Sequence, residues 1–128
     1  MEAIKDTVCV VNEYDDTRYG ICELLDTYGF SVHAHASAKE LLEQECTHSD
    51  TRVIVLDLEM SEDATNVIRG LREQGCNVPV VLMTYYSSSE PALWASRHGA
   101  VVLQKPLRGN TFLQTISSIL DSSRNKVS

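Results

Sequence analysis

Val53-Ile54-Val55-Leu56-Asp57, an unbroken apolar run closed by a carboxylate, is the stretch on which the reading of this chain turns. A run with no polar face to offer solvent predicts a strand covered on both sides, as strands are in parallel sheets. Comparable runs recur at Val8 to Val11, Val78 to Leu82 and Val101 to Leu103. A weaker alternation, Phe30, Val32, Ala34, Ala36, predicts one more strand nearer the sheet edge.

Helix-period segments lie between the strands. From Asp15 to Tyr28 the apolar positions Ile21, Leu24, Leu25 and Tyr28 follow one helical face, and Gly29 supplies a stop. Ser37-Ala-Lys-Glu40 reads as a capping box ahead of Leu41 and Leu42. Val67, Ile68 and Leu71 mark a third helix ending near Gly75, and Ser87-Ser-Ser-Glu90 caps a fourth with Pro91 in its first turn. A fifth, from about Asn110 to Leu120, carries Phe112, Leu113, Ile116, Ile119 and Leu120 on one stripe. Strict alternation of five strands and five helices implies an α/β fold with right-handed crossovers, a parallel sheet and helices on both faces. In such a fold the active face lies beyond the carboxyl ends of the strands.

Length and charge narrow the function. The 128 residues suit one domain, and a net charge of −7 argues against direct binding to nucleic acid or to anionic lipid. No stretch approaches the roughly 18 uncharged residues of a membrane span, and nothing in the sequence reads as an export signal. Cys9, Cys22, Cys46 and Cys76 form no C-x-x-C pair. Cys9 and Cys22 fall in apolar patterns, and a reducing, cytoplasmic setting is expected. The polar segment 123–128 reads as a tail or the start of a linker after a domain over 1–122.

The strand ends carry the chemistry: Val11-Asn12-Glu13, Leu56-Asp57, Met83-Thr84 and Leu103-Gln104-Lys105-Pro106. A carboxylate such as Asp57 can form an acyl phosphate. Two hard oxygen ligands, Glu13 and Asp57, suit Mg²⁺, while Lys105 neutralises charge on a transferring phosphoryl group and Thr84 donates to one of its oxygens. Each residue has an ordinary reading too. Asp57 can form a turn, Glu13 can be a solvated loop carboxylate, Thr84 can bond its own backbone, and Lys105 can be a surface lysine. Separate ordinary causes do not place all four at successive strand ends of one sheet face.

Over nearly its whole length the sequence resembles the receiver domain of response regulators. The resemblance rests on Asn12-Glu13, Asp57, Thr84 and Lys105-Pro106 in this order, with Arg18, Gly29-Phe30, Met60 and Gly99-Ala100 in support. It implies a flavodoxin-like sandwich of strand order 2-1-3-4-5, Asp57 as phospho-acceptor, and a cis peptide bond before Pro106. It also implies Mg²⁺ held by Glu13, Asp57, the Glu59 backbone carbonyl and, through water, Asn12. The implied partners are a sensor histidine kinase or phosphotransfer protein and a downstream output domain or protein. The activity implied is confined to the domain's own phosphorylation and dephosphorylation, and signalling runs through helices four and five and strand five.

The sequence departs from that pattern at Asn12, which lacks a charge, at Glu13, which is a methylene longer than Asp, and at Ser61, where Pro is usual. The acceptor loop looks one residue short, Tyr85 replaces a small residue, and Val102 stands where a switching aromatic is common. These changes bear on metal affinity, pocket access and switching. They keep open a receiver that acts as a phosphorylation-independent interaction module. A flavodoxin-like cofactor binder fits less well, because Asn12-Glu13-Tyr14-Asp15-Asp16 is acidic where a flavin phosphate would sit. The four histidines read as surface or edge residues, Leu93 and Trp94 as packing residues, and Glu59, Glu62 and Asp63 as a solvated acidic stretch.

Overall fold

A computed structural model describes residues 6–48 and 50–125. Strands β1 (Thr7–Val11), β2 (Ser31–His35), β3 (Thr51–Asp57), β4 (Val80–Thr84) and β5 (Ala100–Gln104) alternate with helices α1 (Asp15–Thr27), α2 (Ala38–His48), α3 (Ala64–Glu73), α4 (Glu90–Ser96) and α5 (Gly109–Asn125). All strand pairs are parallel and the sheet order is β2-β1-β3-β4-β5, as expected.

The period-2 geometry of the strands sorts the apolar runs into two cores. Cys9, Val11, Ile54, Leu56, Val80 and Leu82 face one way, onto Leu41 of α2, Val67, Ile68 and Leu71 of α3 and Ala95 of α4. Val8, Val10, Val53, Val55, Val81 and Met83 face the other way, onto Ile21 and Leu25 of α1 and Phe112 and Ile116 of α5. Each fully buried Val, Leu or Ile contributes roughly 1.5–3 kcal/mol, so the central strands β1, β3 and β4 anchor the layers.

Several local expectations shift. The sheet-edge strand β5 is not covered on both faces, and Val101 is exposed. In β2 the alternation misleads: Ala34 and Ala36 are exposed and His35 is buried, so His35 is not a surface histidine. Tyr28 projects into solvent instead of completing the α1 stripe, because the helix ends at Thr27 and Gly29 turns the chain at φ 90°. Ser89, not Ser87, caps α4 by accepting the Ala92 N–H. Helix α5 continues to Asn125, and residues 126–128 of the expected tail lie outside the described residues.

The acidic stretch is not merely solvated. Asp63 caps α3, its carboxylate accepting from the N–H groups of Thr65 and Asn66. Glu62 accepts from the N–H groups of Ala38 and Lys39 at the start of α2. Orphan amide donors at helix starts attract carboxylates in this way. No described helix is long and apolar enough to cross a membrane.

Candidate functional site

Parallel strands of similar length deliver their carboxyl ends to one face, and register decides which side chains meet there. Asp57 pairs with Met83, which sets Asp57 one step short of Thr84, and Thr84 pairs with Gln104, which sets Lys105 next. Asp57 and Thr84 are both buried. The Lys105 ammonium reaches both Asp57 oxygens, at 2.9 Å and 2.8 Å. Its backbone N–H donates to the Thr84 carbonyl at 2.7 Å, and the Lys105-Pro106 peptide bond is cis.

Ordinary and chemical roles coexist in the same atoms. Asp57 accepts from the Glu59 N–H at 2.8 Å, a turn contact, while holding Lys105. The Thr84 hydroxyl accepts from the Tyr86 N–H at 2.9 Å and spends its own proton on the Glu59 carboxylate at 2.6 Å. Glu59 therefore enters the site through its side chain as well as through its place in the acceptor loop. The Tyr85 N–H donates to Glu59 at 2.8 Å, and Lys105 stands 3.2 Å from the same oxygen.

The electrostatics follow from these contacts. Partial burial disfavours the Glu59 charge, yet bonds from Thr84, the Tyr85 N–H and Lys105 outweigh it and hold the carboxyl below its ordinary value. Burial likewise opposes the Lys105 charge, and Asp57 and Glu59 together override it, raising the ammonium above its ordinary value. A cleft of about 510 Å³ opens over these groups, lined among others by Asp57, Glu59, Lys105, Tyr85, Tyr14 and Thr17.

The end of β1 behaves differently. Glu13 gives one oxygen to the Ser61 N–H at 2.8 Å and the other to the Ser61 hydroxyl at 2.7 Å. Asn12 is buried, its Oδ1 accepts from the Tyr14 N–H, and its Nδ2 has no hydrogen-bond partner. An amide N–H₂ is a donor and repels a cation. Among the described residues no three His, Cys, Asp or Glu side chains converge on a metal position. As arranged, Glu13 is engaged by Ser61 and Asp57 by Lys105, so a cation held by these carboxylates would compete with both contacts.

Sequence reading missed Gln104. Its Nε2 donates to the carbonyls of Tyr85 and Lys105, at 2.7 and 3.1 Å, and its Oε1 accepts from the Ser87 N–H, which staples the loop after β4 to the end of β5. The signal was a polar residue inside an apolar strand end, next to Lys105. Arg18 supports the first strand end by donating to the Asn12 carbonyl at 2.8 Å.

A buried carboxylate, an ammonium on both its oxygens and a hydroxyl from the neighbouring strand lie together at the carboxyl end of a 2-1-3-4-5 parallel sheet, the arrangement of a receiver-type fold. The chain belongs to the response regulator receiver domain family, whose profile matches residues 8–117. It is 29% identical over 122 residues to the transcriptional regulatory protein TdiR of Thauera aromatica, covering 92% of this chain and 52% of that protein. It is 28% identical over 114 residues to the transcriptional regulatory protein FixJ of Rhizobium meliloti (strain 1021), covering 86% and 54%. The chain thus spans about half the length of these curated relatives. A solved receiver domain protein (CheY-like) from Methanospirillum hungatei JF-1 matches with TM-score 0.85 at 17% identity, covering 96% of this chain and 99% of that one, which establishes the shared fold.

Proposed function

We propose that this chain accepts a phosphoryl group on Asp57 from a histidine kinase or phosphotransfer protein and signals the change in charge to an output domain or partner. The observation that carries this reading is the Lys105 ammonium seated on both oxygens of Asp57 at the carboxyl end of the sheet. In the transfer a carboxylate oxygen of Asp57 bonds to phosphorus as the donor's P–N bond breaks, and the imidazole nitrogen keeps the electron pair. Water later cleaves the acyl phosphate and returns carboxylate and inorganic phosphate. Lys105 offsets charge on the transferring group, and Thr84 and the Tyr85 N–H supply donors to its oxygens. Signal leaves through α4, β5 and α5, and Gln104 at the end of β5 holds the loop after Thr84.

Mg²⁺ would supply further charge neutralisation, and on this reading it binds weakly and only after Glu13 has left Ser61. On this reading the protein is cytoplasmic and the domain covers 1–122, with 123–128, whose first residues extend α5, a polar tail or the start of a linker. Intact mass after incubation with acetyl phosphate and Mg²⁺ tests the reading: one added phosphoryl group on the wild type, and none on Asp57→Asn. A second reading, a phosphorylation-independent interaction module, is favoured by the Glu13–Ser61 contact, and a wild type that never gains mass would select it.

A further inference from the structure

Glu59 lies two residues past Asp57, and its carboxylate reaches back to three donors. The Thr84 hydroxyl lies 2.6 Å from one oxygen, while the Tyr85 N–H at 2.8 Å and the Lys105 ammonium at 3.2 Å meet the other. A hydroxyl, a peptide N–H and an ammonium converging on one anion are the donors that the oxygens of a phosphoryl group on Asp57 require. The ammonium is the same one that holds Asp57. The hydroxyl has its orientation fixed, because its lone pair receives the Tyr86 N–H and its proton goes to Glu59.

We propose that the Glu59 carboxylate is an internal occupant of the phosphoryl-oxygen pocket, which a phosphoryl group on Asp57 must displace. The proposal rests on the acceptor reading of Asp57 but makes its own claim about the unphosphorylated chain. A carboxylate and a phosphoryl group carrying nearly two negative charges cannot share one donor set a few ångströms wide, since like charges at that separation repel strongly. Phosphorylation therefore exchanges one anion for another at Thr84, Tyr85 and Lys105. The contacts that hold Glu59 in the ground state add to the barrier. Glu59 also gives the unphosphorylated protein a charged ligand on the loop after β4, so that loop is held by an anion both before and after transfer.

The test uses the full chain as wild type, Glu59→Gln and Glu59→Ala. The first measurement follows the Tyr85 amide and the Glu59 carboxyl carbon by NMR through an acid titration. The expected result is one shared midpoint, with the Tyr85 step absent in Glu59→Ala. The second measures labelling by acetyl phosphate with Mg²⁺. Glu59→Ala is expected to label about tenfold faster than wild type, the rate equivalent of one hydrogen bond to a charged group no longer to be broken, and Glu59→Gln to fall between, because it keeps an acceptor oxygen but loses the pull on Lys105. A Tyr85 amide blind to the Glu59 titration, or equal labelling rates in wild type and Glu59→Ala, would overturn the proposal. Should no variant take label, the acceptor reading of Asp57 fails. The displacement then fails with it, whereas a wild type that takes label at a rate Glu59→Ala leaves unchanged overturns the displacement alone.

Discussion

The Lys105 ammonium bridges the two carboxylate oxygens of Asp57, at 2.9 and 2.8 Å, from a position 48 residues further along the chain. A cation on both oxygens fixes the plane of the carboxylate and stands where charge develops during attack on phosphorus. Asp57→Asn is expected to abolish labelling from acetyl phosphate or a cognate kinase. Lys105→Ala should keep the site of labelling but slow it by on the order of a hundredfold, the usual scale for removing one electrostatic contact. Label persisting in Asp57→Asn, read by intact mass, would assign the acceptor elsewhere.

Both oxygens of Glu13 are occupied by one residue, Ser61, so any cation must compete with two hydrogen bonds. Ser61→Ala removes the hydroxyl and should tighten Mg²⁺ binding. Asn12→Asp should tighten it further by adding a negative charge beside the ion, and Glu13→Gln should nearly eliminate it. Titration followed by amide chemical shifts measures all three. An unchanged affinity in Glu13→Gln would remove Glu13 from the ligand set.

The acid and base limits of the network differ in sign. Glu59 sits below its ordinary carboxyl value of 4.5, so its contribution is present above that value and is lost as pH falls through the lower, folded one. Lys105 sits above its ordinary 10.5, so its contribution is complete below 10.5 and is lost only as pH rises through the higher, folded value. The stability difference between wild type and Glu59→Gln should therefore be flat through neutral pH and shrink on acidification. Denaturant midpoints across the acid range check this, and a difference that grows as pH falls would contradict it.

Arg72 holds the far end of the sheet. Its guanidinium donates to the carbonyls of Cys76 and Val78, each at 2.9 Å, and to those of His98 and Gly99 at 3.1 and 3.4 Å, tying the turn before β4 to the turn before β5. Arg72→Ala is expected to cost about 2 kcal/mol, because carbonyls lose a charged donor where strands begin. Gly99→Ala should also destabilise. The glycine has φ 86°, and a Cβ there would stand 2.7 Å from an Arg72 nitrogen. Chemical denaturation of both variants measures this without touching Asp57.

The fold was legible because β1, β3 and β4 are buried on both faces, and burial of that kind leaves unbroken apolar runs such as Val53 to Leu56. The edge strand β2 was harder to read, since packing around the edge hides His35 and leaves Ala34 in solvent, against the alternation of its residues. At the site, position along the sheet brought Asp57, Thr84 and Lys105 together, because parallel strands place their ends by register. Side-chain direction was not legible. Nothing local in Glu59 and Glu62 distinguishes a solvated carboxylate from one that caps α2 or reaches Thr84, whereas Asp63 caps α3 through Thr65 and Asn66, two and three residues on, and was locally readable as an N-cap. The choice is made by partners 20 and more residues away for Glu59 and Glu62.

Tyr85 lies over the site, its ring centroid 4.5 Å from the Lys105 nitrogen and its side chain lining the cleft above Asp57, although it remains half exposed. A ring held by a cation at that distance gains on the order of 1 kcal/mol, enough to favour the covering position over free rotation in solvent. In that position the phenol is expected to restrict the in-line path to Asp57, which serves both the incoming donor and the water that hydrolyses the acyl phosphate. Slow labelling by acetyl phosphate and a long-lived phosphorylated state are therefore expected together. Tyr85→Ala should speed both. This separates Tyr85 from Glu59, which on our reading has already left the pocket once Asp57 is phosphorylated, so Glu59→Ala accelerates labelling with little effect on decay. Labelling and decay rates for wild type, Tyr85→Ala and Glu59→Ala distinguish the two effects. Unchanged rates in both steps for Tyr85→Ala would remove the ring from the mechanism and leave the Lys105 contact as packing alone.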